Sequence, residues 1–139
     1  MVDDHAIVRA GLRRIIEEKE EMKVASEATT GEEALHLISK EIFDIVLLDI
    51  SMPGKNGLQT LKEIKKYKST IPILMLSMHA EEQYALRAIK AGASGYLTKD
   101  SAPEQLVIAI KKVCSGRKYI SPEVAELLAT DLYHKENKQ

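Results

Sequence analysis

Asp49 closes the apolar run Ile45-Val46-Leu47-Leu48 and opens the tight segment Ile50-Ser51-Met52-Pro53-Gly54. A strand that ends on a carboxylate hands it to a turn instead of the core. Two more acids, Asp3 and Asp4, follow the apolar start Met1-Val2, Ser77 ends the run Ile73-Leu74-Met75-Leu76, and Lys99 follows Tyr96-Leu97-Thr98. If these strands are parallel neighbours, their carboxyl ends meet in one crevice, which is where open α/β sheets bind ligands. Two carboxylates about 5 Å apart repel by roughly 3 kcal/mol at an effective dielectric near 20, and three repel more. A hard divalent cation relieves that repulsion, and Mg²⁺ prefers one or two carboxylates plus waters and phosphoryl oxygens. One acid is then left to react. An aspartate can attack a phosphoryl group to give an acyl phosphate, while the metal and a lysine neutralise charge on the transferred oxygens. The hydroxyl of Ser77 can follow the new phosphoryl group, and Tyr96 can pack inward or point outward accordingly.

Each residue also has a plainer reading. Asp3 and Asp4 suit the N-terminus of the first helix, Ser77 can cap a loop, and Lys99 can be a solvated strand end. Their occurrence together, one set per strand end in chain order, outweighs those readings, as does the shaping of the loop after Asp49 by Pro53, Gly54 and Gly57.

The elements that must position these groups alternate between strand-like and helix-like segments, a pattern that implies a parallel sheet with helices on both faces. The spacing of Val8, Leu12 and Ile15 predicts a first helix from about Ala6 to Glu18, and Met22 to Ala28 reads as a half-exposed edge strand. Thr30 and Glu33 have the spacing of a capping box, opening a second helix through Ala34, Leu35 and Ile38. The continuous apolar runs before Asp49 and Ser77 suit central strands. Helices are expected over Gly57 to Lys66 and over Glu81 to Ala91, the latter stopped by Gly92. Ser101 and Glu104 form a second capping box for a helix that ends near Gly116, and Ser121-Pro122 opens a last one with Val124, Leu127, Leu128 and Leu132 on one face.

With 139 residues, 45% apolar and 29% charged, the chain suits one domain with a proper core. Its one cysteine, Cys114, excludes an internal disulfide and fits a reducing compartment. No apolar run reaches the roughly 18 residues needed to span a bilayer, so the expected location is the cytoplasm, with no membrane partner. The net charge of −1, with dispersed Lys and Arg, gives the chain no electrostatic attraction for nucleic acid.

Three functional classes compete at this point. A nucleotide-binding enzyme needs a glycine-rich phosphate loop after its first strand, and His5-Ala6-Ile7 supplies none. An aspartyl phosphatase places a second acid two residues beyond its nucleophile, where this chain has Ser51. A pure binding module has no need of Asp4, Asp49, Ser77 and Lys99 together.

In order along the chain, Asp3-Asp4, Leu47-Leu48-Asp49-Ile50-Ser51-Met52-Pro53-Gly54-Lys55-Asn56-Gly57-Leu58, Leu76-Ser77, Gly92-Ala93 and Gly95-Tyr96-Leu97-Thr98-Lys99 resemble the receiver domain of a bacterial two-component response regulator, over essentially Val2 to Gly116. Asp4-His5-Ala6-Ile7-Val8-Arg9-Ala10-Gly11-Leu12, Leu76-Ser77-Met78-His79 and Tyr119-Ile120-Ser121-Pro122-Glu123 are similar to the LuxR/NarL-type branch, in which the receiver precedes a helix-turn-helix domain; Asp100, where many receivers have proline, fits that branch.

The resemblance implies a flavodoxin-like, doubly wound α/β fold with five parallel strands in the order 2-1-3-4-5 and an extra C-terminal helix. It implies a receiver over residues 1–117, and a helix and linker over 118–139 leading to a DNA-binding domain absent from this chain. By the same resemblance Asp49 accepts a phosphoryl group from a sensor histidine kinase. Asp4, Asp49 and the Ser51 carbonyl bind Mg²⁺ directly, with Asp3 acting through water. Ser77 and Lys99 contact the phosphoryl group, Ser77 and Tyr96 form the switch, and the protein is a signalling device, not a turnover enzyme.

Two expectations remain. Only Met1 and Val2 precede the acids, so the first strand is expected to be truncated. Leu106-Val107-Ile108-Ala109-Ile110 is apolar at five successive positions, more than one buried stripe requires. A homodimer through the first and fifth helices is therefore expected; the alternative places the extra side chains beneath the C-terminal helix.

Overall fold

The two continuous apolar runs form the strands β1 (Val46–Asp49) and β2 (Ile73–Ser77), buried at every position. The computed structural model describes residues 1–50, 57–77, 82–99 and 103–136. A third strand, β3 (Gly95–Thr98), completes a parallel sheet in the order β1-β2-β3. Asp49 pairs with Leu76, and Ser77 with Thr98, so the three strands end level with one another. Around them lie α1 (Ala6–Glu17), α2 (Gly31–Lys40), α3 (Gly57–Tyr67), α4 (Glu82–Lys90), α5 (Pro103–Cys114) and α6 (Pro122–Glu136).

Side chains alternate across a strand, and β1 and β2 divide accordingly between two cores. Val46, Leu48, Ile73 and Met75 pack with Ala34, Leu61, Ala88 and Val124 of α2, α3, α4 and α6. Leu47, Leu74 and Leu76 pack with Leu12 and Ile16 of α1 and with Leu106, Ala109 and Ile110 of α5. A sheet covered on both faces has no polar side to show, which is why these strands read as unbroken apolar runs. No described helix is long and apolar enough to cross a membrane.

Among the described residues the sheet has three strands, with Val2 and Ala28 joined to it by bridges alone. Val2 makes isolated parallel bridges to Ala28 on one side and Leu48 on the other, and Met22 to Ser26 is not a strand. Val2 N–H donates to the Leu47 carbonyl at 2.8 Å, Asp49 N–H to that of Val2 at 2.9 Å, and Asp3 N–H to that of Ala28 at 3.0 Å. Ahead of Asp3 the described residues make a single rung on each side. A hollow of about 900 Å³ opens below that rung, lined by Met1, Ile16, Met22, Val24, Ile45 and Ile110.

Local signals mostly hold. Thr30 Oγ1 accepts from Glu33 N–H at 3.1 Å, although the Glu33 carboxylate turns to the Thr29 hydroxyl at 3.2 Å instead of closing the box on Thr30. Gly92 ends its helix at φ +110°, a conformation glycine adopts freely. Ser121 caps α6 by accepting from Val124 N–H at 3.2 Å. Ser51, Pro53, Gly54, Met78, His79, Asp100 and Ser101 lie outside the described residues, and with them the second capping box.

The apolar stretch of α5 resolves differently from expectation. Leu106, Val107, Ala109 and Ile110 are all buried within the chain, and only Ile108 is half exposed. Helix α6 does not cover α5. It packs on α4, with Val124 buried and Lys90 Nζ 2.8 Å from Asp131 Oδ2. The segment before it joins the free edge of β3, where Tyr119 N–H donates to the Ser94 carbonyl at 2.9 Å and Tyr96 N–H to the Tyr119 carbonyl at 3.1 Å.

Candidate functional site

Level strand ends bring the three acids and the lysine together. Lys99 Nζ lies 2.8 Å from Asp3 Oδ2 and 3.0 Å from Asp49 Oδ2. All three side chains are almost wholly buried, whereas Asp4 keeps a quarter of its side chain in solvent. Lys99 reaches this position because its N–H donates to the Ser77 carbonyl at 2.7 Å, carrying the β2–β3 ladder one residue past Thr98. Asp49 is held by the Val2 carbonyl on one side and by the pairing of Ile50 N–H with the Leu76 carbonyl, at 2.9 Å, on the other.

Helix α3 starts directly against this strand end. Gly57 N–H donates to the Ile50 carbonyl at 3.0 Å, and the absence of a side chain at Gly57 allows that approach.

Burial alone raises the carboxyl pKa of Asp3, but the Lys99 ammonium and the hydrogen bonds from His5 outweigh it and hold the group below its ordinary value. Burial alone lowers Lys99, but the Asp3 and Asp49 carboxylates outweigh it and raise that pKa above the usual lysine range. Asp3 and Lys99 therefore face each other as ions at neutral pH.

His5 enters the site, although its only mark in the sequence is its place in the branch resemblance. Its N–H donates to Asp3 Oδ1 at 2.8 Å, and its Nδ1 stands 3.2 Å from that atom and 3.1 Å from Asp4 Oδ1. One ligand atom from each of Asp3, Asp4, His5 and Asp49 can be chosen so that all lie within 4.8 Å of one another. With the carboxylates ionised, three negative charges face the single ammonium of Lys99, leaving a deficit that a divalent cation fits. Hard oxygen donors and the open side at Asp4 suit Mg²⁺. Asp3 has one oxygen on Lys99 and the other on His5.

Ser77 is buried at the end of β2, and Tyr96 is half-buried on β3 against the core shared with α4 and α6. Ser51 lies outside the described residues. A second residue without a role in the sequence reading is Arg9, whose Nη1 donates to the Asp3 carbonyl at 2.7 Å. A backbone acceptor leaves no mark in sequence, so no spacing could have announced it.

Comparison with known proteins agrees with this geometry. Residues 1–111 match the response regulator receiver domain family. The chain is 42% identical over 129 residues to the response regulator UvrY of Escherichia coli K12, covering 93% of this chain and 59% of that protein. The chain thus spans about three-fifths of the length of that relative. Among solved structures, a LuxR-family response regulator from Aurantimonas sp. SI85-9A1 is similar with a TM-score of 0.86 and 40% identity, over 95% of this chain and 94% of that one. RcsB, solved as two dimers bound to two parallel DNAs, is similar with a TM-score of 0.81 and 27% identity, over 92% of this chain and 65% of that one.

Proposed function

Because the chain belongs to the response regulator receiver family, in its LuxR/NarL-type branch, we propose that Asp49 accepts a phosphoryl group from the phosphohistidine of a sensor histidine kinase. The modified receiver then controls a transcription-regulating, DNA-binding domain outside this chain. The observation that carries this reading is the Lys99 ammonium bridging buried Asp3 and Asp49 beside the half-open Asp4.

An oxygen of Asp49 forms a bond to phosphorus as the donor P–N bond breaks, its electron pair returning to the imidazole nitrogen. Lys99 sits where it can exchange its hold on Asp49 for the transferred oxygens, lowering their charge in the transition state. Asp4, Asp49 and the Ser51 carbonyl would hold Mg²⁺ directly and Asp3 through water; bound there, the ion supplies positive charge to the phosphoryl oxygens. Ser77 and Tyr96 turn the new group into a conformational change. The product is one acyl phosphate per chain, so the protein is a cytoplasmic switch and not a turnover enzyme.

On this reading residues 1–117 form the receiver and 118–139 the helix and linker toward the output domain. The five-strand order 2-1-3-4-5 belongs to the same proposal, and the placement of Val2 between Ala28 and Leu48 supports it. A homodimer through α1 and α5 is favoured by Ile7 and Ile108, which stand exposed on those two helices, and by the dimers seen for RcsB.

Incubation with acetyl phosphate and Mg²⁺ tests the reaction. One phosphoryl group per chain by mass, absent in Asp49→Ala and under EDTA, is the expected result. Continuous phosphate release would mark a phosphatase, and labelling that survives in Asp49→Ala would overturn the assignment.

A further inference from the structure

The backbone of Asp3 is held on both sides of its Cα. The Asp3 N–H, in the preceding peptide, donates to the Ala28 carbonyl at 3.0 Å, and the Asp3 carbonyl, in the peptide joining the two acids, accepts from Arg9 Nη1 at 2.7 Å. The guanidinium is itself fixed. Arg9 Nε donates to Glu27 Oε1 at 3.1 Å, and Glu27 Oε2 accepts from Arg13 Nη1 at 2.5 Å. Arg13 Nε in turn reaches Glu17 Oε1 at 3.3 Å, and Glu17 Oε2 accepts from Val24 N–H at 3.1 Å. Charge pairs thus run from the Met22 to Ala28 segment through α1 to the acid pair. Arg9 and Glu27 keep only 17% and 27% of their side chains exposed, so solvent screens their contact less than it would a surface pair.

A peptide group is planar, so fixing its carbonyl fixes the plane from which the next residue departs. That next residue is Asp4. The Asp3 side chain is already tied to Lys99 and His5, and the Asp49 backbone is paired on both sides. Among the described residues the Asp4 carboxylate has only the exposed His5 ring beside it, at 3.1 Å, so its direction follows the Asp3–Asp4 plane most closely.

We infer that Arg9, locked by Glu27, is a positioning residue for divalent-cation binding, setting the direction of Asp4 relative to Asp49 through the Asp3 carbonyl. The inference rests on the metal reading given above. Partners that orient ligands from outside the coordination sphere typically change metal affinity 10- to 100-fold when removed, and Arg9 acts one peptide further back, so a loss near the lower end of that range is expected.

Mn²⁺ binding followed by electron paramagnetic resonance tests this, at a temperature where circular dichroism shows each variant folded. The wild type should bind one ion, and Asp4→Asn should lose it. Arg9→Met should weaken binding by about tenfold, and Glu27→Gln should weaken it less, in the same direction. Arg9→Lys should fall between wild type and Arg9→Met, because an ammonium can reach the carbonyl but cannot span it and Glu27 with one planar fork. In acetyl phosphate labelling, the Mg²⁺ concentration giving half the maximal rate should rise in parallel, with the rate at saturating Mg²⁺ kept within about twofold.

A merely structural Arg9 would shift the unfolding midpoint and leave Mn²⁺ affinity unchanged; that result overturns the inference while the metal reading stands. Absence of saturable binding in the wild type overturns the metal reading, and the inference with it. Should Arg9→Met fail to fold, unchanged affinity in both Glu27→Gln and Arg9→Lys overturns the positioning role.

Discussion

Gly57 approaches Asp49 so closely that a Cβ on the glycine would stand 2.3 Å from the Asp49 carbonyl oxygen and 2.5 Å from the Ile50 Cα. Both obstacles are backbone, which cannot swing aside as a side-chain tip can. Helix α3 and the end of β1 must therefore separate if anything larger than glycine stands there, and the Asp49 carboxylate is on the atom chain that moves.

Gly57→Ala should accordingly lower stability by about 1 to 3 kcal/mol, the range of overpacked sites, and slow labelling of Asp49. Gly11→Ala is the control. Gly11 is exposed within α1 with nothing within 4 Å of a built Cβ, so alanine there should add about 0.5 to 1 kcal/mol through helix propensity. Urea unfolding reads both, and a Gly57→Ala protein as stable as the wild type would refute the packing argument.

Lys99→Met leaves Asp3 and Asp49 buried without their shared cation. Breaking a buried pair by removing one partner costs about 3 to 5 kcal/mol, so a loss of that order is expected in metal-free buffer. Mg²⁺ should restore more stability to Lys99→Met than it adds to the wild type. Equal Mg²⁺ responses would mean that the acids do not share one field.

The Asp3 pair also sets a pH window. With its folded pKa depressed, Asp3 contributes stability above its unfolded value of about 3.9, and that contribution is lost as pH falls through the lower folded value. Lys99, with its folded pKa raised, contributes fully below about 10.4 and loses that contribution as pH rises through its folded value. The stability difference between wild type and Asp3→Asn should therefore be flat through neutral pH and shrink at acid pH. Chemical denaturation at pH 7 and below 4 decides it; a difference that grows in acid contradicts the depressed pKa.

For the α1–α5 dimer, Ile108 is the informative position and Val107 is not, because Val107 is buried within the chain. Ile108→Glu should leave the fold intact and abolish association in sedimentation with beryllofluoride and Mg²⁺, whereas Val107→Glu should damage folding. A wild type that stays monomeric at high micromolar concentration in both states would rule the dimer out for this chain.

What the sequence made legible was whatever a residue does with its near neighbours or with both faces of a buried sheet. The runs before Asp49 and Ser77 announced central strands because burial on two faces leaves no polar positions. Thr30, Gly92 and Ser121 announced helix ends because capping is local. Met22 to Ala28 alternates like a strand but bridges only at Ala28, because alternation shows what a segment can pair with and not whether a partner runs beside it. Val107 and α6 misled for a related reason: the apolar face of a helix does not name the neighbour it will choose, and α6 found α4. Arg9 stayed hidden because its partner is the carbonyl of Asp3, and every residue has a carbonyl.

The single rung at Val2 has a dynamic consequence. The amides of Asp3 and Asp49 lie in the isolated bridges of Val2, so they should exchange with solvent before those of Leu48 or Met75 within the sheet. A cation that binds only the form in which these bridges are closed favours that form by RT ln(1 + c/Kd), an amount that grows with its concentration c. Protection at Asp3 N–H and Asp49 N–H then becomes a gauge of occupancy, and the amino-terminal segment a latch that the ligand itself fastens.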